Sequence, residues 1–170
     1  PTRNSEGRLI HPTKEGVRNF WRWFGDSKVV DDQGQPMVVY HGTIVRPDSA
    51  RVKGMGDIRE FDRMFTTQFR RPSIDTVGSW FSTNPGEGGA EMYSGRGEGS
   101  AIYPAYLSIQ NPQVTTFQLM TRRARLLENG KDDGRPIGAP EVEAYRKWLA
   151  ATGKDGVKIE GSGNDGSTEF

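Results

Sequence analysis

A histidine follows a short apolar run in this chain, at a place where its ring could take part in chemistry. The run Val38-Val39-Tyr40 is typical of a buried strand, because β-branched and aromatic residues fit a pleated surface, and His41-Gly42-Thr43 comes directly after it. Gly42 has no Cβ, so another group can approach the backbone closely there. The pattern predicts His41 at a strand end that faces a docking place. A lone histidine is more often a structural residue with a single hydrogen bond, and that alternative stays open.

Two aromatic residues and a late carboxylate add further chemical groups. Trp80 lies in a short apolar run, Tyr93 follows a glycine-rich segment, and Glu169 lies in a late segment that reads as a strand. An aromatic side chain can stack on a flat ring, and a carboxylate can stabilise positive charge that develops on a sugar carbon. Each residue also has an ordinary explanation, the aromatics as core and the carboxylate as a solvated surface group. The residues alone do not decide between these explanations.

The composition predicts a single α+β domain over residues 1–170, with residues 1–11 as a flexible arm. Only 33% of the residues are hydrophobic and 22 are glycine, which favours a loop-rich domain over a helical bundle. The net charge of +1 gives no sign of the concentrated basic face that nucleic-acid binding usually needs. The chain does not begin with methionine and stops soon after a predicted strand opens, so we expect a domain taken from a larger protein.

Several classes of site are excluded by residue counts. The chain has no cysteine and 2 histidines, which excludes disulfides, thiolate zinc sites, a cysteine nucleophile and a histidine-rich metal site. No apolar stretch approaches the roughly 20 residues that a membrane-spanning helix requires. We therefore expect neither a bound metal nor a membrane partner.

Periodicity and turn signals predict the elements that would position these groups. The predicted helices cover residues 13–24, 118–128 and 141–151, with a helical turn near 90–93. The predicted strands are a hairpin of 28–30 with 35–40, and the segments 79–83, 101–109, 156–159 and 167–170. Residues 44–60 read as a long loop, and the aspartates near residue 132 read as a polar turn.

Several of these blocks together resemble one known family, the ADP-ribosyltransferase superfamily of the His-Tyr-Glu type, which diphtheria-like toxins and the poly-ADP-ribose polymerases share. The chain looks most similar to ADP-ribosyltransferase domains embedded in large phage and mobile-element proteins. The blocks that carry the resemblance are 20–31, 40–43, 78–85, Tyr93, 103–112, 155–157 and 168–170. The resemblance implies split, mostly antiparallel β-sheets with a central NAD cleft and flanking helices.

The resemblance also implies an activity, the transfer of ADP-ribose from NAD to a macromolecule with release of nicotinamide. Glu169 would be the catalytic residue, orienting a hydroxyl of the nicotinamide ribose and stabilising an oxocarbenium-like transition state. His41 would contact the adenosine-side ribose, and Gly42 would bind the nicotinamide carboxamide through its backbone. Thr43 would help to shape the same wall.

The remaining implied binding residues come from the middle of the chain. Trp80 would lie beside the nicotinamide, Tyr93 would stack on its ring, and Ser82 would supply hydrogen bonds. The arginine that binds the pyrophosphate is left open among Arg46, Arg51, Arg70, Arg71, Arg122 and Arg123. No metal is implied, because the charged nicotinamide ring is already a good leaving group.

Acceptor and partners follow only as expectations of the resemblance. A protein is favoured over a nucleic acid as acceptor, and Ser167 disfavours arginine, because arginine-directed relatives carry Glu or Gln two residues before the catalytic glutamate. A monomeric toxin or effector is implied, acting in the cytoplasm of a bacterial or phage-infected cell after delivery by a phage or secretion system. A neutralising immunity protein would be a natural partner. Two alternatives remain, an NAD glycohydrolase with water as acceptor and a catalytically silent binding module.

Overall fold

The computed structural model describes residues 1–44, 72–94, 100–161 and 167–170. Its helices are α1 (Lys14–Phe24), α2 (Glu91–Ser94), α3 (Phe117–Asn129) and α4 (Ala139–Ala151), with a 3-10 turn at Ile74–Val77. Its strands are β1 (Val39–Ile44), β2 (Ser100–Ala105), β3 (Pro112–Val114) and β4 (Gly156–Lys158). The loop predicted beyond Ile44, and the candidates Arg46, Arg51, Arg70 and Arg71, lie outside the described residues.

Helix α1 forms where the sequence predicts it. Thr13 caps its first turn, because the Thr13 hydroxyl accepts a hydrogen bond from the Gly16 N–H at 3.1 Å. Gly25, with a φ of 56°, ends the helix and donates its N–H to the Trp21 carbonyl. Phe24 is completely buried and fixes the helix to the domain.

Two small sheets give the chain an α+β architecture. β1 pairs with β2 in antiparallel register, with His41 opposite Tyr103, and β3 pairs with β4 in parallel, with Gln113 opposite Val157. Isolated antiparallel bridges add to these sheets: Ser82 bridges Tyr40 and Glu169. The parallel pair departs from the mostly antiparallel prediction, since β3 is a strand that the sequence did not indicate.

Three predicted strands are shorter than expected. The hairpin of 28–30 with 35–40 is reduced to one bridge between Val30 and Pro36. The Met37 N–H donates to the Val29 carbonyl, but the ladder does not continue, because the Val29 N–H donates to the Ser27 hydroxyl. The strand predicted over 101–109 ends at Ala105. The strand predicted over 79–83 is represented by the bridges of Ser82 alone.

The predicted position of His41 at a strand end is wrong. The three residues after the apolar run continue to pair with β2, and Gly42 lies opposite Ile102 and Thr43 opposite Ala101. His41 therefore lies inside β1, with both strand neighbours in the ladder. The pairing decides this, because the partner strand is distant in sequence.

Hydrophobic side chains form two clusters. The helical cluster contains buried residues of the 3-10 turn, α3, α4, β4 and the position after β4, namely Ile74, Met120, Ala124, Tyr145, Val157 and Ile159. The strand cluster contains Val29, Val39, Phe81, Ile109 and Phe170. Glu169 bridges Ile159, and its neighbour Phe170 belongs to the other cluster, so the terminal segment joins the two.

The first residues pack against the domain in the structure, although the sequence predicts a flexible arm. Asn4 is only 3% exposed, and its side-chain amide donates to the Tyr106 hydroxyl at 2.8 Å. The Ser5 N–H donates to the Pro36 carbonyl, and the Tyr40 hydroxyl donates to the Glu6 carboxylate. These bonds join the segment to β1, to the residues before it and to the residue after β2.

Candidate active site

Three extended segments meet side by side at the centre of the described structure. The Tyr40 N–H donates to the Ser82 carbonyl at 2.8 Å, and the Ser82 N–H donates back at 2.9 Å. On the opposite edge of the segment that contains Ser82, Phe81 and Phe170 exchange backbone hydrogen bonds of 3.0 and 2.9 Å. This central ladder places the strands of His41 and Glu169 on the two sides of the Ser82 segment, although they are far apart in sequence.

Glu169 is held firmly within the ladder. Its backbone exchanges hydrogen bonds of 2.8 and 2.9 Å with Ile159, and the residue is 4% exposed. The Tyr93 hydroxyl donates to its carboxylate oxygen Oε1 at 3.3 Å. A buried carboxylate with a fixed hydrogen bond is well placed to stabilise positive charge, since the surroundings screen it little.

The Tyr93 phenol remains a hydrogen-bond donor over the whole ordinary pH range. Burial of the hydroxyl, followed by the negative charge of Glu169 and its hydrogen bond, raises the pKa of Tyr93 to about 12. The residue as a whole is 49% exposed. The tip of the side chain therefore contacts Glu169 while much of its surface faces outward and is open to stacking.

Gly42 allows helix α2, which carries Tyr93, to lie directly on β1. A Cβ atom at this position would lie 1.7 Å from the Ala90 carbonyl oxygen, a distance that no side chain can occupy. The sequence predicts a close approach at Gly42, and the group that approaches is the chain's own backbone. Successive residues of a strand direct their backbone groups to opposite edges, so Gly42, two residues after Tyr40, directs its N–H and C=O to the edge that Tyr40 presents to Ser82.

The His41 ring is oriented by a hydrogen bond to the backbone of Trp80. Its Nδ1 lies 2.7 Å from the Trp80 carbonyl oxygen, and a carbonyl only accepts, so Nδ1 carries the proton. Burial lowers the pKa of His41 below 6.5, and the hydrogen bond to Trp80 opposes this shift. In a neutral ring protonated on Nδ1, the other nitrogen, Nε2, is an acceptor. The ring also packs against Phe81, with 5.3 Å between ring centres.

The other predicted binding residues have structural contacts of their own. The Trp80 indole packs against Phe117 at 5.0 Å and donates its Nε1–H to the Asp75 carbonyl at 2.6 Å. Ser82 is 2% exposed, and its hydroxyl accepts from the Asn84 N–H at 3.1 Å. Thr43 is half-buried and lies on the same face of β1 as His41.

Asn84 is an organising residue that the sequence reading did not single out. Its side-chain oxygen accepts from the Gly86 N–H at 2.9 Å, and its backbone carbonyl accepts from the Ala90 N–H at 2.9 Å. These bonds form the turn that leads into α2 and Tyr93. The dipeptide Asn84-Pro85 before several glycines is the signal that predicts such a turn.

The described candidates for pyrophosphate binding have partners on the helical side of the domain. Arg122 pairs with Asp132 at 3.5 Å, and the Arg123 guanidinium lies 4.3 Å above the Trp148 ring. A cavity of about 690 Å³ on α3 is lined by Phe117, Gln118, Leu119, Thr121, Arg122, Arg125 and Asp132. Asp132 thus lies in a polar segment, as the sequence predicts, and it forms ion pairs there.

The described residues hold no group of three or more His, Asp or Glu side chains that could bind a metal ion. None of the helices in that part of the chain is long and apolar enough to cross a bilayer.

A comparison with protein-family models identifies the chain. The model of ADP-ribosyltransferases in polyvalent proteins matches residues 31–170. The chain belongs to this family. The resemblance inferred from the sequence blocks is thereby confirmed, and membership supports ADP-ribosyl transfer as the general activity.

The matched range leaves the N-terminal residues of this polyvalent-protein ADP-ribosyltransferase domain outside it. All the predicted site residues, from His41 to Glu169, fall within the matched range, whereas α1 and the packed N-terminal segment precede it. No curated protein and no solved structure matches the chain.

Proposed function

We propose that this ADP-ribosyltransferase domain moves a single ADP-ribose unit from NAD to a protein acceptor and releases nicotinamide. The observation that carries the proposal is the hydrogen bond of 3.3 Å between Tyr93 and the buried carboxylate of Glu169. Glu169 belongs to the same ladder as β1, the strand that holds His41 and Gly42. The four residues are the types expected for binding a nicotinamide riboside and cleaving its glycosidic bond.

The described groups fit NAD as a donor substrate. The neutral His41 ring has an acceptor nitrogen for a ribose hydroxyl, and the backbone of Gly42 has a donor and an acceptor, which match the two functions of a carboxamide. The exposed surface of Tyr93 provides a flat ring for stacking. We assign the adenosine-side ribose to His41 and the nicotinamide end to Gly42 and Tyr93.

Cleavage then depends on charge stabilisation by Glu169. As the bond between the ribose C1′ and the nicotinamide nitrogen breaks, its electron pair passes to the nitrogen and positive charge develops on the sugar. The Glu169 carboxylate, held by Tyr93, orients a ribose hydroxyl and stabilises that charge. The ring nitrogen is neutralised in this step, so nicotinamide leaves without further activation.

The proposal places the donor cleft between two parts of the domain. The β1–β2 sheet packs with the strand cluster, and the β3–β4 sheet packs with the helical cluster. The ladder of Ser82 and Glu169 joins them. We propose Thr43, Trp80 and Ser82 as supports of the cleft wall, because their contacts hold β1 and the turn before α2.

The test compares the proposed catalytic carboxylate with an exposed one. The wild-type domain, Glu169→Gln and Glu160→Gln are each mixed with labelled NAD and a bacterial lysate. Glu160 is exposed and pairs with Lys158, so Glu160→Gln controls for loss of one negative charge near the same segment. We expect Glu169→Gln to lower the transfer rate by about 10²-fold or more, with Glu160→Gln near the wild-type rate.

Other outcomes distinguish the alternatives. Free nicotinamide and free ADP-ribose without labelled macromolecule would identify an NAD glycohydrolase. Label on nucleic acid would correct the acceptor class. A wild-type domain that neither binds nor cleaves NAD would contradict the proposal and favour a binding module.

A further inference from the structure

Exposed apolar side chains are concentrated on the segment from β3 to α3. They are four of the nine large hydrophobic residues that are exposed in the described parts of the chain, namely Val114, Leu119, Leu126 and Leu127. A single exposed apolar residue is ordinary in a soluble protein, whereas several together indicate a surface that another molecule covers. This segment is therefore a candidate interaction surface.

Two of these leucines share one side of α3 with an arginine. Leu119, Arg122 and Leu126 follow one another at intervals of three and four residues, so they form a row along the helix. Met120 and Ala124 are the buried residues of α3 and belong to the helical cluster. The row therefore faces away from the helical cluster, and we call it the α3 face.

The α3 face lies in the most basic part of the described helices. Arg122 pairs with Asp132 at 3.5 Å, and Arg125 pairs with the same carboxylate at 2.9 Å. One carboxylate thus serves two guanidinium groups, which leaves an excess of positive charge beside the leucines. Residues 117–135 include five basic and three acidic residues, whereas the whole chain is nearly balanced with 23 and 22. The charge favours an acidic partner.

The cavity of about 690 Å³ on α3 opens beside this face, since Leu119 and Arg122 are among its lining residues. The Arg122 side chain is 63% exposed, so an incoming carboxylate can reach its guanidinium. An aliphatic side chain next to that carboxylate would cover Leu119. The lining therefore suits a protein segment, because a nucleic acid supplies negative charge but no aliphatic side chains for the leucines.

Phe117 connects the cavity to the candidate active site. It lines the cavity, and its ring packs against Trp80 with 5.0 Å between ring centres. The Trp80 carbonyl in turn accepts from His41 Nδ1 at 2.7 Å. The path from the cavity to His41 thus crosses two residues, and a protein bound at the α3 face would lie beside the wall of the site.

We propose that the α3 face and its cavity form the docking surface for the acceptor protein, and that the docked segment carries both acidic and aliphatic side chains. The inference rests on the proposed function. Arg122 recognises the negative charge, while Leu119 and Leu126 supply the apolar area. Binding of NAD and cleavage of its glycosidic bond stay with the residues of the candidate active site.

The experiment separates docking from donor binding. Arg122→Glu reverses a charge of the α3 face and Leu119→Ser removes apolar area, whereas Arg18→Glu and Leu9→Ser change equally exposed positions elsewhere. We expect each α3 variant to label lysate proteins about tenfold more slowly at low lysate concentration, with the Kd for NAD within about twofold of wild type. The loss should narrow as the lysate concentration rises, because weaker docking raises the KM for the acceptor and leaves kcat unchanged.

A defined probe tests the chemistry of the partner. A fluorescein-labelled peptide of glutamate and leucine, with the leucines at helical spacing, should bind the wild-type domain in a fluorescence anisotropy titration. Arg122→Glu should bind it about tenfold more weakly, and high salt should weaken binding to the wild type. The control peptide, in which lysine replaces glutamate, should not bind.

The outcomes distinguish this inference from the proposed function. Protein labelling by both α3 variants at the rate of their controls would overturn the docking surface. Failure of the glutamate peptide to bind, or equal binding of the lysine peptide, would do the same, and label on nucleic acid that depends on Arg122 would replace the protein partner with a nucleic acid. In the first three cases, transfer by the wild type and its loss in Glu169→Gln would leave the proposed function intact. A wild-type domain that does not bind NAD would overturn both.

Discussion

The two halves of the Tyr93–Glu169 pair are held in opposite ways. Glu169 is 4% exposed in the centre of a ladder, with backbone bonds to Ile159 and a neighbour, Phe170, bonded to Phe81. Tyr93 is 49% exposed on a helix of 4 residues. A helix this short has no stability of its own, because it is below the length at which helix propagation outweighs nucleation. Its position depends on packing.

The domain thus combines a carboxylate that is fixed by strand pairing with a tyrosine whose position depends on the packing of a short helix. The carboxylate is positioned by pairings on both sides and by two hydrophobic clusters, so several contacts must fail before it moves. The tyrosine is positioned by the turn at Asn84 and by the absence of a side chain at Gly42. We expect substitutions around Glu169 and substitutions around Tyr93 to have different measurable effects.

The largest effect is expected when the packing that holds Glu169 is weakened. Phe170 is 5% exposed in the strand cluster, and Phe170→Ala leaves a cavity there, which typically costs about 3–5 kcal/mol of unfolding free energy. Urea unfolding measures the change. The same variant should lose transfer activity at temperatures where it is still folded, because the segment that carries Glu169 is released.

A conservative variant provides the control. Phe170→Leu retains most of the buried volume and should cost about 1.5 kcal/mol or less. If Phe170→Ala were no less stable than Phe170→Leu, the strand cluster would not be what holds the terminal segment.

A smaller effect is expected when the packing that positions Tyr93 is disturbed. Gly42→Ala places a Cβ 1.7 Å from the Ala90 carbonyl oxygen, so α2 must move away from β1. We expect a loss of about 1–3 kcal/mol in unfolding free energy. Separation of Tyr93 from Glu169 should also lower the Tyr93 pKa from about 12, which absorbance titration of the phenols can follow.

Gly78→Ala is the control for Gly42→Ala. The Gly78 backbone is extended, with a φ of −164°, and nothing lies within 4 Å of the place its Cβ would take. Gly78→Ala should therefore leave both the stability and the Tyr93 titration near wild type. An equal effect of the two substitutions would mean that close packing at Gly42 does not position α2.

The smallest effect is a pH dependence that comes from His41. Burial lowers the folded-state pKa of His41 below its ordinary value of 6.5, so the unfolded chain binds a proton first as the pH falls. The unfolding free energy should consequently fall as the pH drops below about 6.5. His41→Gln should reduce this decline between pH 7 and 5, measured as the difference between the two urea titrations. A steeper decline in the variant would contradict the assigned direction.

Sequence patterns predicted the parts of the fold that depend on neighbouring residues. Thr13 and Gly25 are local signals for the start and end of α1, and the structure places the helix between them. The helices α3 and α4 also follow their patterns to within about two residues, since capping and periodicity act over a few positions. The family blocks, read together, identified an ADP-ribosyltransferase domain.

The site depended on pairings that such patterns do not contain. Val39 to Ile44 form one strand because β2 lies beside them, and this placed His41 inside β1 instead of at its end. The sequence predicts a role for the Trp80 ring, yet the Trp80 carbonyl is the group that contacts His41. Neither fact follows from residue type or spacing.

By itself the sequence determined the composition, the local helix signals, the family and the set of chemical groups from His41 to Glu169. The tertiary structure alone decided that Ser82 lies between Tyr40 and Glu169, that Ala90 packs on Gly42, and that the Tyr93 hydroxyl reaches the Glu169 carboxylate. The physical reason is the range of the interactions. Helix caps and turns act over three or four residues, whereas strand pairing and burial join segments that the chain separates by many tens of residues.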